Sequence, residues 1–164
     1  MKVSHSLLFI LIVAATCVHA GLGAVSTPSI FQQTAPNATG CTLRIHVDGL
    51  RNSTGVVGAA IFKSADGWPE NMSKSFHHWP TPIAAGAREA TAVMENLPPG
   101  DYGLVTIHDE NKNQKMDRSL FGIPKEGFGF ANNPHVGLSA PPYQAAIVHV
   151  TCPATEIGIH MIYK

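Results

Sequence analysis

From Thr42 onward, apolar and polar residues alternate along the chain with a period of two. In "TLRIHVDGL", Leu43, Ile45 and Val47 fall on one side and Arg44, His46 and Asp48 on the other, the pattern of a half-buried β-strand. Similar short runs recur at 55–63 ("GVVGAAIFK"), 88–97 ("REATAVMENL"), 101–109 ("DYGLVTIHD"), 143–151 ("YQAAIVHVT") and 155–164 ("TEIGIHMIYK"). In the last of these, Ile157, Ile159, Met161 and Tyr163 share one face. Pro98-Pro99-Gly100 cannot continue a central strand, so the runs on either side of it are expected to form a hairpin. A second hairpin is expected around Cys152-Pro153-Ala154. Two segments resist this pattern: 71–79, which suits one short helix, and the glycine-rich connection 110–142. The fold class that follows is all-β, an antiparallel β-sandwich of about seven strands with one short helix at most. A small barrel is the alternative.

The N-terminus follows a different pattern. Lys2 precedes an apolar run, "LLFILIVAATC" (7–17), that is too short to span a bilayer, and the small residues after it suit cleavage behind Ala20. Residues 1–20 are therefore expected to be a signal peptide, with residues 21–40, rich in small, polar and Pro residues, as a flexible tether to a domain over 41–164. A secreted or periplasmic location follows. In an oxidising compartment the two cysteines left after cleavage, Cys41 and Cys152, are expected to pair, with antiparallel neighbouring strands bringing them together.

Charge narrows the partners. Lys and Arg number 11 and so do Asp and Glu, which leaves no basic field to draw nucleic acid. No transmembrane segment is expected once the signal is removed. A protein, a glycan or a small ligand remains as the expected partner.

Candidate chemistry concentrates in the long connection. In "DENKNQKMD" (109–117), Asp109, Asn111, Asn113, the carbonyl of Lys115 and Asp117 have the order of oxygen ligands in a calcium loop. Gln114 stands where such loops need Gly, and Leu120 stands where they carry a bidentate acid, so a Ca²⁺ site here would be weak, on the order of 10⁻⁴ to 10⁻³ M. The alternative is a set of Asx-turns in which Asp and Asn bond their own backbone. Downstream, "LFGIPKEGFGFANNP" (120–134) mixes glycines with Phe121, Ile123, Phe128 and Phe130, beside Lys125, Glu126, Asn132 and Asn133. This loop either folds over the core or presents an aromatic surface to a ligand.

The span 97–134, "LPPGDYGLVTIHDENKNQKMDRSLFGIPKEGFGFANNP", resembles the signature of a secreted bacterial family known as domain of unknown function 2141. The resemblance implies a transthyretin-like or immunoglobulin-like sandwich and carries no activity. The family's usual Gly is replaced by Gln114. A metal-dependent hydrolase or metal-handling protein centred on His108 and Asp109 is the competing expectation, but the chain has no G-x-S-x-G, H-E-x-x-H or phosphate-cradling glycine loop. A non-enzymatic binding or structural module is therefore the reading of the sequence.

Overall fold

The structure is a computed structural model and describes residues 40–164. The expected signal peptide and all of the tether except Gly40 lie outside these residues. Eight strands form two sheets: β1 (Cys41–Asp48), β2 (Val56–Phe62), β3 (His77–Pro82), β4 (Ala90–Leu97), β5 (Gly100–Asp109), β6 (Gly127–Phe130), β7 (Ile147–Val150) and β8 (Ala154–His160). One sheet has the order β4-β1-β8; the other runs β3-β2-β5-β6, with β7 also pairing β5. Among the described residues no helix is long and apolar enough to cross a membrane.

The alternation in β1 translates directly into burial. Leu43, Ile45 and Val47 are buried with Ile159 of the neighbouring β8 against Val57, Ile61, Leu104 and Val148 from the facing sheet, while His46 and Asp48 lie in solvent. This is the inter-sheet core that a sandwich requires.

Neither expected hairpin forms. β4 pairs with β1 and β5 with β2, so the Pro98-Pro99 step carries the chain from one sheet to the other. Two successive prolines lack N–H donors and cannot adopt the tight turn that would fold β5 back beside β4. Tyr102 fixes the corner: its ring is buried in the core and its hydroxyl donates to the Pro98 carbonyl at 2.8 Å. This is the geometry by which a tyrosine pins a sandwich corner. At the second site β7 pairs with β5, whereas β8 pairs with β1. Segment 71–79 is likewise not a helix throughout, since a 3-10 turn at Met72–Lys74 leads into β3.

The cysteines do pair, with Cα atoms 4.5 Å apart. The expected route was antiparallel, but β1 and β8 run parallel, Thr42 opposite Ala154 through Asp48 opposite His160. Parallel alignment brings the two strand beginnings together, and each cysteine lies at or just before such a beginning.

Candidate functional site: an apolar cleft beside the Asp/Asn loop

Sandwich strands usually present polar residues on their outer faces. β2 does not. Val57, Ala59 and Ile61 point into the inter-sheet core, and the opposite side carries Val56, Gly58, Ala60 and Phe62. On β5 the same outer face bears Val105 and Ile107, and β6 adds Phe128 and Phe130. A second apolar cluster forms there: Ala60, Phe62, Val105, Phe128, Phe130, Val136 and Ala146 are buried beneath Trp68, Met72, Met116 and Tyr143. Trp68 packs edge-on against Phe62 and Tyr143, and Tyr143 donates to the Phe62 carbonyl at 3.1 Å. The covering segments do not fill the space. They leave an open cleft of about 1340 Å³, with Gly58, Ala60, Val105 and Ile107 on the sheet side and Phe121 and Leu138 among the residues around it. Interiors are otherwise close-packed, so a void of this size over small side chains is a ligand-sized feature. Phe121 is 90% exposed and Leu138 110%, leaving apolar surface in water beside the opening.

The Asp/Asn loop borders this cleft and holds itself in place. Asp109 is 1% exposed. Its Oδ1 accepts from the Asn113 N–H at 3.0 Å, and its Oδ2 from the Gln114 N–H at 2.7 Å. Asn111 and Asn113 each donate a side-chain N–H to Asp117, at 2.7 and 3.0 Å. Lys112 and Gln114 sit at φ of 60° and 61°, the left-handed conformation that glycine adopts more easily. Glu126, 4% exposed, staples the loop from below: Oε1 accepts from Glu110 N–H and Oε2 from Asp117 N–H, both at 3.1 Å. Burial raises the Glu126 pKa, and the nearby Asp109 and Asp117 carboxylates push in the same direction, against those two N–H donors. Among the described residues, no three His, Cys, Asp or Glu side chains converge as a metal-binding group.

A second network ties the loop's base to the link between β1 and β2. Arg51 donates to Glu110 through Nε at 2.8 Å and through Nη2 at 2.5 Å, and stands 4.8 Å over the Tyr163 ring. This paired guanidinium, helped by Asn52, holds the Glu110 carboxyl well below its usual range, at about 2. His108 is fully buried. Its Nδ1 lies 2.7 Å from Tyr163 Oη and its Nε2 2.8 Å from the Thr54 carbonyl. A carbonyl only accepts, so Nε2 carries the hydrogen, and in the neutral ring Nδ1 then accepts from the tyrosine hydroxyl.

An acid titration follows from Glu110. Its folded pKa is depressed, so its contribution is complete above the unfolded value near 4.3 and is lost as pH falls through about 2. Because Arg51 is half exposed, about 1 to 2 kcal/mol is expected rather than the full linkage value. Equilibrium urea unfolding at pH 6 and pH 2.5 should show that loss in the wild type and a clearly smaller one in Glu110→Gln. Equal losses in both proteins would remove Glu110 as its source.

The residues singled out from sequence therefore divide. Asp109, Asn111, Asn113, Lys115 and Asp117 do lie together, with the Asn113 side chain accepting from Lys115 N–H at 2.8 Å. Phe121 and Ile123 line the cleft, and Phe128 and Phe130 lie in strand β6 against it. Lys125 is exposed, and its N–H donates to the Asp117 carbonyl at 2.8 Å. Asn132 and Asn133 point elsewhere: Asn132 donates to the Ile147 carbonyl, while Asn133 donates to Gly158 and accepts from His160 N–H, mimicking a strand partner along β8. Their φ of 65° and 45° suit asparagine among non-glycine residues. Sequence reasoning missed Gly58, Ala60, Val105, Ile107, Met116 and Leu138. The available signal was the lack of alternation in "VVGAAIF", which marks burial on both faces.

Residues 45–158 match a family described as an uncharacterised protein conserved in bacteria, DUF2141. Neither a curated protein nor a solved structure matches the chain.

Proposed function

The chain belongs to DUF2141, a family of uncharacterised bacterial proteins, and we propose that it is an exported, non-enzymatic binding module that takes an apolar small ligand into the cleft over β2 and β5. One observation carries this reading: the outer face of the larger sheet is apolar, covered, and incompletely filled. The Asp/Asn loop is the scaffold of one wall. The hydrolase reading centred on His108 and Asp109 is disfavoured by their bonding, since both imidazole nitrogens and both carboxylate oxygens already have partners within the fold. Groups whose polar atoms are already engaged in holding the fold are poorly placed for acid–base work.

The neutral dye Nile red tests the cleft directly. Wild-type protein should bind it with enhanced emission. Ala60→Leu, which adds bulk to the cleft, and Phe121→Ser/Leu138→Ser, which strip its apolar border, should each reduce binding at least about fivefold, while circular dichroism stays native. Dye binding indifferent to both the Ala60 variant and the double variant would overturn the proposal.

For the loop, the reading is a turn that its own N–H donors support without an ion. Millimolar Ca²⁺ should then move the melting temperature no further than Mg²⁺ does. A Ca²⁺-specific stabilisation of about 0.4 to 1.4 kcal/mol, the value for a one- to tenfold excess over a dissociation constant on the order of 10⁻⁴ to 10⁻³ M, would instead assign the ion to Asp109, Asn111, Asn113, Lys115 and Asp117.

A further inference from the structure

We propose that the ligand of the cleft is a free single-chain amphiphile with an anionic head, of the long-chain carboxylate class; this rests on the binding reading above and goes beyond it in naming the chemistry. Two features of the lining support it, one from its apolar side chains and one from its charges.

The tail is specified by the cleft's size and composition. Gly58, Ala60, Val105 and Ile107 offer no side-chain hydrogen-bond donor or acceptor, and Met116 adds a flexible thioether that accommodates irregular apolar shapes. The volume, about 1340 Å³, exceeds the roughly 300 to 1,000 Å³ of an ordinary small-molecule pocket and leaves room for an extended apolar chain. Each methylene transferred from water to such a surface adds to the favourable burial of apolar area, so chain length contributes to affinity.

The head is specified by charge. Five ionisable acids and bases line the cleft apart from His78: Glu70, Asp109, Lys115, Arg118 and Lys164. Arg118 and Glu70 form an ion pair and cancel. Asp109 is buried and both its oxygens accept backbone N–H groups. Lys115 and Lys164 remain. Both are exposed, and neither takes part in a salt bridge among the described residues; the Lys164 ammonium donates to the Val136 carbonyl at 3.1 Å. The accessible side-chain charges bordering the apolar trough that no salt bridge engages are therefore these two ammonium groups. An acyl chain with a terminal carboxylate matches both parts, whereas a neutral hydrocarbon gains nothing from the two ammonium groups and an apolar cation is repelled.

Isothermal titration below the micelle concentration tests this with dodecanoate and dodecanol, which differ in head group but share one chain. Dodecanoate should bind at least about tenfold more tightly, and Lys115→Gln/Lys164→Gln should erase most of that preference without weakening dodecanol. Equal affinities for acid and alcohol would overturn the head-group inference and leave the apolar-ligand reading standing. If neither binds while Nile red still does, the chain-like ligand is wrong. Loss of Nile red as well removes the underlying reading. In a parallel arm the protein is sedimented with anionic phosphatidylglycerol vesicles, and recruitment to them without affinity for monomeric dodecanoate would assign the surface to a membrane and overturn the proposal.

Discussion

Cys152→Ser should lower the stability of the folded domain by about 4 to 5 kcal/mol, the largest loss expected from any single change discussed. The bond spans 111 residues of sequence, so its removal releases nearly the whole domain in the unfolded state. In the chain-entropy description a loop of that length corresponds to about 4.7 kcal/mol. The substituted side chain is exposed, while Cys41 is fully buried, so replacing Cys152 avoids placing a hydroxyl in the core. For a domain of this size the melting temperature should fall by roughly 12 to 20 °C. Thermal unfolding of the oxidised protein, the reduced protein and the variant should give one high and two similar low transitions. A variant within about 1 kcal/mol of the oxidised wild type would mean that the parallel β1/β8 alignment holds without its covalent tie.

Glu126→Ala comes next. Its carboxylate accepts from two backbone N–H groups that have no other acceptor among the described residues, those of Glu110 and Asp117, and it does so while nearly buried. Stranding buried donors costs about 1 to 3 kcal/mol each, and the partial exposure of these two argues for the lower end, so a total of about 2 to 3 kcal/mol is expected. Hydrogen exchange should accelerate first at Glu110 and Asp117. Glu126→Gln is informative in the opposite sense. Burial raises the Glu126 pKa, so the folded state holds that proton more tightly than the unfolded chain, and the group's contribution declines as pH rises from its unfolded value through its folded one. The amide has no such dependence. Stability of Glu126→Gln relative to wild type should therefore improve between about pH 4.3 and neutrality. A constant difference across that range would show that the carboxyl titrates alike in both states.

Much of the framework was legible in the sequence because it depends on local periodicity. β1 alternates residue by residue, and its burial does the same. The cysteine pair followed from their number and the expected compartment. The hairpins were not legible for a physical reason: Pro98-Pro99-Gly100 announces an end to a strand but does not say whether the next strand returns beside it or crosses to the facing sheet. That choice is made by distant contacts, here the Tyr102 hydroxyl on Pro98 and the long pairing of β5 with β2. The loop around Asp109 was readable as an Asp/Asn turn because its bonds are between near neighbours. The cleft was not, because Gly58 on β2, Val105 on β5 and Leu138 beyond β6 come together only through the fold.

The first and last strands of the domain lie side by side, and this fixes when the domain can become complete. A chain emerging from its N-terminus can assemble β1 with β4, but the remaining edge of that sheet and the partner of Cys41 arrive only with residues 152–160. Contacts of such sequence separation make folding slow and late. For the export proposed above, the polypeptide would thus stay pliable in transit until residues 152–160 had passed, and would lock only on the far side, where an oxidant can close the ring.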